Sequence, residues 1–164
     1  PKPTIAMIQG YCIGGGMGLA VACDIRLCED KSRFAIPAAK LGLGYGYEGI
    51  RRLANLVGPA MVKEIFFTAR QFSAGEAQEM GLVNRVLPPH MLAPYVDDYA
   101  KRISENAPMT MESVKAIVQA IQDDESARDL DALDAMVKAC FASQDYIEGR
   151  RAFMEKRKPN FTGS

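Results

Sequence analysis

Three consecutive glycines, Gly14-Gly15-Gly16, constrain this chain more than any other feature. They follow residues 4–8, a short apolar and partly β-branched run behind Pro3 that reads as a buried strand. They precede residues 17–23, which are small, apolar and helix-permissive. A strand that turns through glycine into a helix presents backbone N–H groups where no intrahelical acceptor exists and where the helix dipole is positive. With no side chains in the way, a ligand can approach the backbone closely. The turn is therefore either a site for developing negative charge or a tight connection that needs the space. Two nucleotide motifs fail. No Lys-Ser or Lys-Thr directly follows the glycines, so this is not G-x-x-x-x-G-K-[ST]; the third residue after Gly16 is Leu19, so it is not G-x-G-x-x-G. An oxyanion hole facing a thioester or ester oxygen is the functional reading that survives.

The rest of the chain divides in two. Residues 24–28 and 33–36 read as further strands, the latter stopped by Pro37. A glycine- and tyrosine-rich loop, Gly42-Leu43-Gly44-Tyr45-Gly46-Tyr47-Glu48-Gly49, feeds a helix through residues 51–56. Gly58-Pro59 ends that helix and starts the next, with Pro59 suited to a first helical position. Ser73 and Glu76 form a capping box for a short helix that stops near Gly81, and residues 82–87 return as a strand. Pro88-Pro89 is the clearest boundary. Beyond it, apolar residues recur at helical spacing: Leu92, Tyr95, Val96, Tyr99 and Ile103, then Val114, Ile117, Val118 and Ile121, then Leu130, Leu133 and Val137. The expectation is an α/β part over residues 1–88 and a helical region over residues 89–164, whose broad apolar faces must pack on a core or a neighbour.

Composition narrows the function classes. Lys+Arg and Asp+Glu are 20 each, for a net charge of +0, which argues against a basic nucleic-acid binder and an acidic disordered tail. No apolar run approaches the ~20 residues of a membrane span. Four cysteines without a C-x-x-C pair, with His90 as the single histidine, argue against a zinc site or a disulfide framework. Reduced thiols, no visible signal peptide and a cytoplasmic location are the expectation. The chain opens Pro1-Lys2-Pro3-Thr4 and runs directly into a strand, as a piece of a longer protein would.

Ile5-Ala6-Met7-Ile8-Gln9-Gly10-Tyr11-Cys12-Ile13-Gly14-Gly15-Gly16 with Cys23-Asp24-Ile25-Arg26 resembles the central signature of the crotonase (enoyl-CoA hydratase/isomerase) superfamily. The resemblance continues through Phe34-Ala35-Ile36-Pro37, Leu41-Gly42, Phe72-Ser73-Ala74, Gly81-Leu82-Val83, Glu148-Gly149, Ala152-Phe153 and Glu155-Lys156-Arg157. It implies a partial ClpP/crotonase spiral of short strand-strand-helix turns, followed by helices that assemble homotrimers, often paired into homohexamers. It implies a coenzyme A thioester as substrate, with no other cofactor and no metal. The Gly15 N–H would be one donor to the thioester oxygen of an enolate-like state. Gly14, Pro37 and Leu41 would line the substrate. Phe153 and Lys156 would reach the adenine end of CoA from a neighbouring subunit; helix packing and a solvated charge are the plain alternatives. Family members carry a further N-terminal part, with the first spiral turns, the second oxyanion donor and much of the CoA pocket.

Hydration across a double bond needs paired acid/base groups. In the resemblance, the two glutamates of hydratases fall at Gly18 and Ala38, neither of which moves a proton. The Tyr45 loop instead resembles the methylmalonyl-CoA decarboxylase branch, as do Gly49-Ile50, Val62-Lys63-Glu64, Ser143-Gln144-Asp145-Tyr146 and the tail from Phe153. Decarboxylation needs the oxyanion hole and no carboxylate pair, and a Tyr45 hydroxyl suits the orientation of a departing carboxylate. Tyr45 equally fits aromatic packing. Glu48 is either an alternative acid/base or an N-terminal helix charge. Tyr11 and Cys12 read as packing residues, and His90 has no partner for a nucleophilic triad. Decarboxylase-like or isomerase-like chemistry is the leading expectation. A non-catalytic acyl-CoA-binding or oligomer-forming member, or an inactive fragment of a hydratase-like protein, is the alternative.

Overall fold

The computed structural model describes residues 2–164. The described residues form two compact units: Thr4–Asp98, and Tyr99–Ser164 together with Lys2 and Pro3.

The first unit is built from repeated strand-strand-helix turns. Strand β1 (Ile5–Ile8) leads through Gly10, in the left-handed region at φ 67°, to β2 (Tyr11–Ile13) and helix α1 (Gly15–Ala22). The next turn repeats it: β3 (Ile25–Glu29), β4 (Arg33–Ala35) and the single-turn helix α2 (Ala38–Leu41). Each turn places its strands in two different sheets. β3 pairs in parallel with β1 (Ile5↔Ile25, Ile8↔Cys28), and β4 pairs in parallel with β2 (Tyr11↔Arg33, Ile13↔Ala35). Helix α3 (Tyr47–Thr68) is followed by β5 (Phe72–Ser73), antiparallel to β4. Helix α4 (Ala74–Glu79) then leads to β6 (Arg85–Leu87), parallel to β3. The sheets are thus ordered β1-β3-β6 and β2-β4-β5. Phe34, Phe72, Met17, Leu53, Ile65 and Leu82 fill one core that these elements share.

This is the mixed α/β class that the sequence indicates, with local differences. The helix expected over residues 51–56 begins at Tyr47 and continues to Thr68, broken at Gly58 (φ 78°, ψ 160°), where the Gly58-Pro59 pair predicts a break. The capping box is formed: Ser73 Oγ accepts from Glu76 N–H, and the Glu76 carboxylate accepts from Ser73 N–H at 2.8 Å. Those bonds and Arg70 hold the Glu76 carboxyl down at about 2. The strand expected over 82–87 is only Arg85–Leu87. Leu82 and Val83 instead donate their N–H groups to Ala77 O, closing α4 while their side chains enter the core. α2 and β5 are too short to leave a periodic trace.

Helix α5 (Pro89–Ser104) begins at the second of the two prolines. The second unit continues with α6 (Pro108–Gln122), a 3₁₀ turn at Glu125–Ala127, α7 (Leu130–Ala142) and α8 (Gln144–Met154). Val114, Val118 and Ile121 are 55%, 49% and 66% exposed, and an apolar groove of about 580 Å³ runs between α6, α7 and α8. The tail folds back on α8: the buried Asp145 carboxylate accepts the N–H groups of Thr162 and Gly163 at 2.7 and 2.9 Å. Among the described residues no helix is long and apolar enough to cross a membrane.

Candidate active site

The glycine turn is a helix N-terminus tied to the neighbouring strand, with Gly15 and Gly16 exposed. Gly14 is the N-cap of α1, at φ 56° and ψ −113°, a conformation that glycine alone adopts without strain. Its N–H donates to Ala35 O at 2.9 Å, extending the β2–β4 ladder by one step and fixing the turn to the sheet. The first helical bond is Gly18 N–H to Gly14 O at 3.1 Å. The N–H groups of Gly15, Gly16 and Met17 precede it and have no intrahelical acceptor. A Cβ placed on Gly14, Gly15, Gly16 or Gly18 would meet nothing within 4 Å among the described residues. No described residue crowds these four positions, and only Gly14 is called for by its backbone conformation. The first turn of α1 carries no acidic side chain to neutralise the positive dipole end. Met17, only 1% exposed, anchors the helix to the core.

The neighbouring pieces surround the same core. Pro37 is the N-cap of α2; Ala38, at its first position, is buried, and Leu41, at its last, is 74% exposed. Gly42 ends the turn in the left-handed conformation at φ 63°. The chain then passes to Tyr45, whose half-buried ring packs against that core. The Tyr45 ring meets Phe66 edge-on, with centroids 5.0 Å apart, and faces Gly49, where a Cβ would lie 3.6 Å from the ring. Its hydroxyl has no hydrogen-bond partner among the described residues. Glu48 stands in the first turn of α3, 63% exposed, paired with Arg51 at 2.8 Å. Cys12 is buried beside the turn, and burial pushes its thiol up to about 11; Cys28 is pushed to about 12 for the same reason. Neither is a thiolate near neutral pH, so the turn has no cysteine nucleophile there.

Gly14, Gly15, Pro37, Leu41, Tyr45 and Glu48 thus belong to the first unit, and Phe153 and Lys156 to the second. Phe153 is 82% exposed on α8, and Lys156 follows the helix at φ 54°. Sequence reasoning missed the part played by Ala35. Its carbonyl orients the whole turn, yet a main-chain acceptor leaves no side-chain signature; only the β2–β4 register reveals it. It also missed Met17, whose buried side chain seats the helix.

The sequence profile of the enoyl-CoA hydratase/isomerase family matches residues 1–164. The chain belongs to that family. It is 41% identical over 162 residues to a crotonyl-CoA hydratase of Syntrophomonas wolfei, covering 98% of this chain and 62% of the relative. It is 38% identical to a short-chain-enoyl-CoA hydratase of Clostridium acetobutylicum, covering 96% and 60%. A crystal structure of an enoyl-CoA hydratase/carnithine racemase from Magnetospirillum magneticum superposes with a TM-score of 0.89 at 35% identity, over 99% of this chain and 60% of that one. The chain thus spans about three fifths of the length of these relatives.

Proposed function

We propose that the whole protein acts on acyl-CoA thioesters, holding the thioester oxygen of an enolate-like state on the Gly15 N–H at the start of α1. The observation that carries this reading is the glycine turn: N–H groups without an intrahelical acceptor at a positive helix end, exposed glycines at Gly15 and Gly16, and a backbone hydrogen bond from Gly14 to Ala35 O. Donors preorganised where charge develops are worth more than donors that must be recruited from water. Gly14, Pro37 and Leu41 line the acyl group, and Phe153 and Lys156 meet the adenine end of CoA. The helical unit, with its exposed apolar stripe, assembles a homotrimer or homohexamer.

Decarboxylase-like chemistry is the preferred reaction, with isomerisation next. Two features support it. Gly18 and Ala38 bring no carboxylate to the turn, which spares an anionic acyl group from repulsion. The Tyr45 hydroxyl has no hydrogen-bond partner among the described residues, which leaves it to a substrate carboxylate. Hydration by another route is the competing reading, favoured by the names of the two relatives; Glu48 would then be the acid/base group, and its pairing with Arg51 weighs against it. A member that binds acyl-CoA without turning it over is the remaining reading. Free thiols at all four cysteines fit a reducing, cytoplasm-like compartment.

Assay of the full-length protein against methylmalonyl-CoA and crotonyl-CoA tests the proposal. Carbon dioxide release from the first is expected. Water addition to the second alone moves the assignment to hydration, and tight binding without turnover of either supports the non-catalytic reading.

A further inference from the structure

The helix that carries the proposed oxyanion donors is poorly equipped to hold itself. α1 has eight residues, shorter than an isolated helix needs for stability. Three of them, Gly15, Gly16 and Gly18, are glycines, which weaken helices. Gly14 offers no side-chain cap, and no basic residue stands in the last turn to meet the negative end of the dipole. The missing charge arrives from the next strand. Arg26 on β3 is only 4% exposed, and its guanidinium is turned onto main-chain carbonyls. Nη1 donates to Cys23 O, at the C-cap of α1, at 2.6 Å, and to Ala20 O in its last turn at 3.4 Å. Nε donates to Leu82 O at 2.7 Å. The Arg26 backbone is fixed in turn by Asn84, whose Oδ1 accepts the Arg26 N–H and whose N–H donates to Arg26 O, both at 2.8 Å.

We propose that Arg26 is a positioning residue for the oxyanion turn: its guanidinium clamps the C-terminal end of α1 to β3 and to the segment after α4, and thereby sets where the Gly15 N–H points. The inference rests on the reading of Gly15 as an oxyanion donor. A fork is required, because one group must satisfy carbonyls on two separate segments at fixed angles. A lysine ammonium keeps the charge but lacks the planar fork. Burial matters as well: in a site shielded from water, a cation at a helix C-terminus acts with little screening. The clamp lies at the end of the helix opposite the donors, so loosening it frees one end of a short, weakly propped helix and lets the Gly15 N–H shift. Such a displacement costs catalysis more than it costs binding, since the donors act most strongly on the transition state.

The test compares the full-length parent with Arg26→Lys, using turnover on whichever of methylmalonyl-CoA and crotonyl-CoA the parent accepts, and carbon-13 NMR of bound propionyl-CoA labelled at the carbonyl. Hydrogen bonding to the carbonyl oxygen moves that signal downfield. The expected result is a fall in kcat of about tenfold, with KM changed less than about twofold, and a bound carbonyl signal moved back toward its free position. Asn84→Ala, which loosens the Arg26 backbone from an exposed position, is expected to shift both readouts in the same direction by less. Should Arg26→Lys fail to fold, Asn84→Ala decides. A purely stabilising role predicts a lower melting temperature with kcat per folded site and carbonyl shift unchanged, and that result overturns the proposal. Absence of any carbonyl shift in the parent overturns it too, but through the oxyanion reading itself, and is seen without any variant.

Discussion

Replacing Tyr45 by phenylalanine isolates the one side-chain group on which the preferred reaction depends. The structure makes the substitution clean. The ring keeps its edge-on contact with Phe66 at 5.0 Å and its place over Gly49, and the deleted hydroxyl bonds to no described residue. Stability should therefore stay within about 0.5 kcal/mol of the parent, as for substitutions that remove no packed or paired group. The kinetic effect has a different origin. A hydrogen bond from a hydroxyl to a carboxylate contributes roughly 1.5–3 kcal/mol. As carbon dioxide leaves, charge flows from the carboxylate to the thioester oxygen, so this bond weakens along the reaction. What survives in the transition state is mainly orientation. The expected loss falls just below that range, about 1.4 kcal/mol, or about tenfold in kcat/KM for methylmalonyl-CoA. Affinity for an acyl-CoA without a second carboxylate should hardly change. Release of labelled carbon dioxide gives the rate, and thermal unfolding checks the fold. Equal rates in parent and variant would refute the reasoning and make Tyr45 a packing residue only. Glu48→Gln would then become the informative change, because an isomerase or hydratase route through Glu48 should lose its proton transfer.

Gly15→Pro removes the proposed donor N–H and should lower turnover by about a hundredfold or more while weakening CoA binding less; circular dichroism must show the fold intact, and unchanged turnover in that state would remove Gly15 from the site. The Glu148 carboxyl is held down at about 2 by the Arg157 guanidinium and the Asn160 N–H, against an ordinary value of 4.5. Its contribution to stability is thus fully present above about pH 4.5 and is lost as pH falls through about 2. Glu148→Gln should melt earlier than the parent at neutral pH, and the two melting temperatures should converge on acidification across that window; a difference that does not depend on pH would show the pair to be irrelevant. Light scattering of the full-length protein should give a trimer or a hexamer, and an isolated monomer in dilute solution would contradict the role given to the helical unit.

What the sequence makes legible here is side-chain chemistry at fixed spacing, and what it hides is main-chain geometry. Ser73 and Glu76 announce their reciprocal bonds three residues apart. Gly58-Pro59 announces a break because no other pair combines a left-handed residue with a missing N–H. Gly14-Gly15-Gly16 announces a turn between strand and helix, but the purpose of its glycines is visible only in space. A Cβ on any of them meets nothing within 4 Å among the described residues, so none of those residues demands glycine there by contact. Gly14 is required by its positive φ; Gly15, Gly16 and Gly18 carry helix-weakening residues without any such need. A fold that accepts this cost in an eight-residue helix must hold the helix by other means. The means lie outside it, in Ala35 O behind the N-terminus and Arg26 behind the C-terminus. Both residues stand within the stretches that carry the family resemblance, but neither contact is legible there, because a carbonyl acceptor has no residue type and the pattern does not say which carbonyls Arg26 meets. A weak helix with exposed glycines and an anchor at each end agrees with the proposed oxyanion hole, which requires donors that cannot relax toward water before the charge arrives.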